Sequence, residues 1–398
     1  MSTRVILFAT PDLAYPSGST VFLRQFAVGL ARRGYEVHVL CRSVPQGDGT
    51  VQRLTYHPLD MPLDHPVQLD PPVSSQDLGR AVRAYARAAS DLLAPATILH
   101  SMYATATAMA GAYVARRTGH PHVVTTFGRD LGVGMRDGRY AAMAARTLAS
   151  ATHVVAANAA VAEQAAPLIR SCESRLTQIP MGVDDSLFRR PPDFARARKR
   201  IGVEPSRFVV LAVQSAFNED KRLETVLSAL AELDDPEALL VVVGCDDSLG
   251  RHRERTLKRL AAGHGISDRI LWAGQQPHSE LPFYYGAADV LVDARTTSSF
   301  SSCVLEAMWA SLPVVATEAS AASGTVPPEA LAEVVPNDDP GRLAVALSSL
   351  SQDKSRSRAL GRIGRRWIDA NGSANSIGGV VKAYAKVYDS ALSVGDAP

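Results

Sequence analysis

Short β-rich apolar runs alternate with longer segments of helical period along the whole chain, and this alternation admits few architectures besides parallel sheets wrapped by helices. In the first half the strand candidates are Val5 to Thr10, Glu36 to Cys41, Val51 to Tyr56, Ile98 to Met102, Val123 to Phe127 and Val154 to Ala157. Between the first two, Val21, Phe22, Phe26, Leu30 and Ala31 recur at mostly helical spacing, and Gly34 marks the stop, which completes one strand-helix-strand unit. The second half repeats the pattern with strands expected at Phe208 to Val213, Leu239 to Val243, Ile270 to Ala273, Val290 to Asp293 and Val314 to Thr317. Between the halves, IPMGVDDSLFRRPPDFARARKR carries a glycine, prolines and a dense charge cluster that break the periodic pattern.

The pattern predicts an α/β chain of two Rossmann-like, doubly wound domains facing a cleft. The expected divisions are 1–190, 191–375 and a terminal helix, 376–398, packing back toward the first domain. In such sheets a ligand sits at the carboxyl ends of the strands. A net charge of +2 provides no basic footprint for nucleic acid. No apolar run approaches the roughly 18 to 20 residues of a spanning helix, so no integral membrane segment is expected. MSTRVILFAT reads as a first strand rather than a leader, which places the protein in the cytoplasm by expectation. Cys41, Cys172, Cys245 and Cys303 show no metal-ligand spacing and read as small buried hydrophobes.

The richest stretch is DVLVDARTTSSFSSCVLEAMWASLPVVAT, Asp289 to Thr317: strand, polar loop, helix, strand. Ser301 or Ser302 can cap that helix, and amides at a helix start together with the macrodipole suit an anion such as a phosphate. Glu306 follows about one turn later among Val304, Leu305, Ala307, Met308 and Trp309. A carboxylate there needs a partner, either a ribose diol or an arginine.

These residues resemble the signature of the group 1 (GT4) glycosyltransferases of GT-B fold, in which two glutamates flank seven residues and lead into an EAM-x-x-x-x-PVVAT run. Phe300, Leu305 to Met308 and Pro313 to Thr317 carry the match. PSGSTVFLRQFAVGLARRGYEVHVL, ILHSMYATATAMAGAYVARRTGHPHVVTTFGRD and ILWAGQQPHSELPFYYGAADVLVDA extend it. The resemblance implies that Glu306 binds the ribose hydroxyls of a nucleotide and that Lys221 neutralises a diphosphate leaving group. It implies further that Gly18 lets the backbone approach the phosphates and that Gln276 meets the base. Ser19, Ser298, Phe300, Ser301 and Ser302 complete the expected donor site. Four positions depart from the pattern. Ser298 replaces the first glutamate, Ala216 replaces a diphosphate arginine, Phe127 stands where many relatives have a histidine, and Ser19 replaces a second glycine. Arg222 or Arg295 could reach the expected cleft and supply the missing cation. His100 and Asp130 follow strands expected to end at the cleft, and either could orient an acceptor or accept its proton.

The implied activity is transfer of a sugar, with retention, from a nucleoside diphosphate sugar, UDP or GDP, to a small-molecule acceptor. It needs no cofactor, no metal and no covalent enzyme nucleophile. The substitutions point toward an unusual sugar or a thiol acceptor in specialised metabolism. The competing expectation is a catalytically degenerate GT-B subunit that binds nucleotide or a partner without turnover. An epimerase or a phosphorylase is a weaker third. No residue pattern specifies the base, the acceptor atom or an oligomeric state.

Overall fold

A computed structural model of the chain describes residues 3–9, 13, 18–44, 51–60, 74–132, 138–169, 172–214, 217–246, 253–298 and 301–395. Thirteen described strands form two sheets, and every strand pairing is parallel. The first unit comprises β1 (Arg4–Phe8), β2 (Glu36–Cys41), β3 (Leu54–Pro58), β4 (Thr97–Met102), β5 (His122–Thr126), β6 (His153–Ala156) and β7 (Leu176–Gln178), in the order β3-β2-β1-β4-β5-β6-β7. The second holds β8 (Val209–Val213), β9 (Leu239–Val243), β10 (Ile270–Gly274), β11 (Val290–Asp293), β12 (Val314–Thr317) and β13 (Glu333–Val335), in the order β10-β9-β8-β11-β12-β13. The strand order reverses direction between β1 and β4 in one sheet and between β8 and β11 in the other, and ligands gather at such switch points.

Central strands are buried along their whole length, as in β4 and β9, because helices cover both faces of a parallel sheet. That is why continuous apolar runs marked them in the sequence. The edges were less legible. β7 and β13 span three residues each, LTQ and EVV, too short and too polar to stand out, and β3 begins three residues after the expected Val51.

Gly182 and Val183 mark the division between the units, and the chain returns to the first unit at Ile377. The charge cluster after the division is no irregular linker. Asp193 caps a helix at Phe194–Ile201 by accepting from the Arg196 N–H at 3.0 Å, and Gly202, at φ 72°, ends it. Arg198 on that helix is buried, paired with Asp289 at 2.6 Å and donating to the carbonyls of Glu204, Pro205, Arg207 and Ala287.

The terminal helix, Ile377–Gly395, belongs to the first unit. Tyr384 and Tyr388 anchor it, with hydroxyls 2.9 Å from Thr125 Oγ1 and 2.6 Å from the His100 ring. On the neighbouring Gly18–Arg32 helix, a Cβ at Gly29 would lie 2.7 Å from Val381 Cγ2, so glycine there permits the close approach. Among the described residues, no helix is long and apolar enough to cross a membrane.

Candidate active site

The switch point of the second sheet gathers most of the polar groups singled out in the sequence. β8 runs into Gln214, and a short turn of 3-10 helix, Glu219–Lys221, follows. From the adjacent strand, β11 leads through Asp293 and Arg295 to Ser301 and the helix Ser302–Trp309. The two loops are joined, because the Thr296 N–H donates to the Asp220 carbonyl at 2.8 Å. Gln214 Nε2 donates to the Lys221 carbonyl at 3.3 Å within the β8 loop.

Asp293 organises the helix start. Its two carboxylate oxygens accept from Arg295 Nε at 2.9 and 3.0 Å, and Oδ2 also accepts from Ser320 Oγ at 2.7 Å. Burial alone would raise this carboxyl, but the guanidinium and the hydroxyl outweigh it and hold it below the usual carboxylate range. Arg295 then donates from Nη2 to Ser301 Oγ at 2.9 Å. Ser301 occupies the N-cap position, yet with its hydroxyl drawn to Arg295 it makes no side-chain cap bond to the helix amides. The expected capping by Ser301 is therefore not made, and its hydroxyl serves Arg295 instead.

Lys221 stands within electrostatic reach of this group. Burial first, and then the neighbouring Arg295 charge, lower its ammonium to about 8, against Asp220, Cys303 and Asp293. Two cations held together beside an uncapped helix start form an anion-binding arrangement. Of the two arginines that could supply the missing cation, Arg222 pairs instead with Asp338, and Arg295 is the one beside Lys221. The buried Cys303 thiol, pushed up to about 12 by burial and then by Asp293, stays protonated and inert.

Glu306 is buried, and its side-chain partners are a tyrosine and a histidine rather than an arginine. Its Oε2 accepts from the Tyr285 hydroxyl at 2.6 Å, and Oε1 lies 3.2 Å from His278 Nε2. Phe188 packs edge-on against both rings, which fixes the arrangement. Gln276 lies two residues before His278 and folds its Nε2 back onto the Ala273 carbonyl at 2.6 Å. Ser298 and Ser302 sit half-buried on either side of the helix start. Phe300 and Ala216 lie outside the described residues. Gly18 begins the first helix rather than standing in the loop before it, and clusters with the second unit; Ser19, next to it, clusters with the first. A Cβ at Gly18 would be 3.4 Å from Ser302 Oγ, an ordinary contact, so local space does not demand glycine there.

Two expected acceptor-side groups lie buried within the first unit. His100 has no exposed surface, both its ring nitrogens are engaged, by Tyr388 and by Thr125 at 2.8 Å, and burial lowers its pKa to about 3. It is a neutral strut under the terminal helix. Asp130 is also fully buried. Its carboxylate accepts the amides of Ala104 at 2.8 Å, Phe127 at 3.2 Å and Gly128 at 3.0 Å, so it clamps two loops together. Tyr285, His278, Asp293 and Gln214 were missed as site residues. An acidic strand end and a tyrosine pair in FYYGAA are weak signals without the fold that joins them.

Comparison with known proteins adds the following. The family described as "Glycosyl transferases group 1" matches residues 193–367, and "Glycosyltransferase Family 4" matches residues 16–187. A D-inositol 3-phosphate glycosyltransferase of Nocardia farcinica is 32% identical over 54% of this chain and 48% of its own, about half its length. The enzyme of that name from Acidothermus cellulolyticus is 28% identical over 85% of this chain and 79% of its own. Among solved structures, sucrose-phosphate synthase from Thermosynechococcus elongatus has a TM-score of 0.82 at 21% identity, covering 98% of this chain and 100% of that one. HepE of Anabaena in complex with UDP-glucose has a TM-score of 0.77 at 16% identity, covering 97% and 99%. Both share the two-sheet, GT-B architecture.

Proposed function

For a chain that belongs to the GT4-like, GT-B glycosyltransferases, we propose that the sugar donor is a nucleoside diphosphate sugar, in the first instance a UDP-sugar, and that transfer to a small-molecule acceptor proceeds with retention. The observation that carries this reading is the junction of the Lys221 and Arg295 loops, where the Thr296 N–H donates to the Asp220 carbonyl at 2.8 Å, beside the start of the Ser302–Trp309 helix. A diphosphate placed there meets two cations and a run of backbone amides, the environment a departing dianion needs. HepE, of the same fold, binds UDP and UDP-glucose, which supports uridine as the first carrier to try. The ribose reaches Glu306 by displacing His278 from Oε1, while Tyr285 keeps Oε2 in place. The base lies toward Gln276.

In the chemical step the bond from the anomeric carbon to the diphosphate oxygen breaks, the acceptor bonds to the same face, and the acceptor proton passes to the departing diphosphate. With His100 and Asp130 enclosed in the first unit, neither serves as a base, so the leaving group itself takes the proton. The enzyme contributes position and fixed charge, without a covalent intermediate, cofactor or metal. The absence of a glutamate at Ser298 and of a histidine at Phe127 favours an acceptor that ionises easily, such as a thiol, and a role in specialised metabolism. The test is turnover of UDP-glucose and GDP-mannose with thiol and alcohol acceptors, with the product's anomeric configuration read by NMR. Acceptor-dependent release of the nucleoside diphosphate with configuration kept is expected. Inversion, or tight nucleotide binding with no transfer to any acceptor, would overturn the reading.

A further inference from the structure

We propose that Gln214 holds the sugar being transferred, its side-chain carbonyl accepting a hydrogen bond from a hydroxyl of that sugar. Gln214 follows the all-apolar strand VVLAV at the β8/β11 switch point and is only 7% exposed. Its Oε1 is closed to solvent and has no hydrogen-bond partner among the described residues. The amide orientation is determined by its surroundings: Nε2 donates to the Lys221 carbonyl at 3.3 Å, and the reverse orientation would set two oxygens against each other. The backbone is held as well. The Gln214 N–H donates to the Val243 carbonyl at 2.8 Å, and Gly244, at φ 145°, leaves no room for a Cβ beside the Gln214 carbonyl.

An unmet acceptor at the end of an apolar strand is costly, and a leucine or valine would continue the core without that cost. Its retention calls for a donor brought by a ligand. A phosphate oxygen carries no hydrogen to give, so the diphosphate itself does not satisfy it. The ribose is assigned to Glu306, and in the donor the group bonded to the other end of the diphosphate is the transferred sugar, whose hydroxyls can donate. Gln214 thereby supplies, from the neighbouring strand, the sugar-hydroxyl acceptor that the serine at position 298 does not.

This inference rests on the donor reading above, and the test separates the two. Affinities for UDP and UDP-glucose, and for GDP and GDP-mannose, are measured by calorimetry on the wild type and on Gln214→Leu. For the pair that the wild type binds, the variant is expected to lose about three- to tenfold in affinity for the nucleotide sugar, with affinity for the free nucleotide within twofold. Equal losses for both, or no loss for either, would overturn the role of Gln214. Should the leucine variant melt well below the wild type, Gln214→Met, closer in shape, carries the same comparison. A wild type that binds neither pair overturns the donor reading itself, without recourse to any variant.

Discussion

Lys221 faces burial and the nearby Arg295 charge together, which bring its ammonium to about 8 from 10.5. The folded state therefore binds fewer protons than the unfolded chain between about 8 and 10.5. This residue's contribution to stability rises with pH over that interval, while the cation needed by the diphosphate is lost. Donor capture, as kcat/KM, is expected to fall up to tenfold per pH unit above about 8, and Lys221→Gln should flatten that limb and lower kcat about 10²- to 10³-fold. A pH profile indifferent to the substitution would exclude Lys221 from the step. At Glu306, Tyr285→Phe removes a charged hydrogen bond inside the core and should cost about 1.5 to 3 kcal/mol by urea unfolding. Glu306→Gln, which keeps the shape, should weaken nucleotide binding more than it lowers stability. The need for a partner at Glu306 was legible from its apolar neighbours. The partners themselves, 21 and 28 residues away, were not, because only the folded arrangement sets Tyr285 and His278 against the Ser302–Trp309 helix.

Elements whose burial is continuous could be placed from the sequence within a residue or two, as β9 and β11 show. Those whose stability comes from capping or from an edge position could not. The Phe194–Ile201 helix was hidden by its own charges, since five of its eight residues are arginine, lysine or phenylalanine spread around the turn, and Asp193 and Gly202 rather than a hydrophobic stripe delimit it. The terminal helix depends on the first unit through His100, whose ring, like that of His122, stays neutral down to about 3. Both pKa values are depressed from 6.5, so the unfolded chain takes up protons first. Stability is complete above about 6.5 and is lost as pH falls, by up to about 1.4 kcal/mol per pH unit per histidine. Urea unfolding at pH 7 and pH 5 checks this, and Tyr388→Phe, which strips a hydrogen bond from His100, should cost about 1 kcal/mol at pH 7. Equal stability at the two pH values would contradict the buried, neutral assignment.

At the scale of the molecule, two doubly wound sheets carry different amounts of information about chemistry. In the second, the switch point collects Gln214, Lys221, Arg295 and the helix start, the group proposed above to take the diphosphate. In the first, the polar residues that looked catalytic serve the fold, and the strand ends near its switch point present Tyr103 and Phe127, whose rings pack 4.7 Å apart. The account stands or falls on where the diphosphate binds. The decisive measurement is a crystal structure of the protein with UDP or GDP. The account predicts the β-phosphate within hydrogen-bond distance of Lys221 Nζ and the amides of Ser302 and Cys303, with the ribose on Glu306 Oε1. A nucleotide bound elsewhere, or a Glu306 still held by both Tyr285 and His278 with the ribose out of reach, would contradict it.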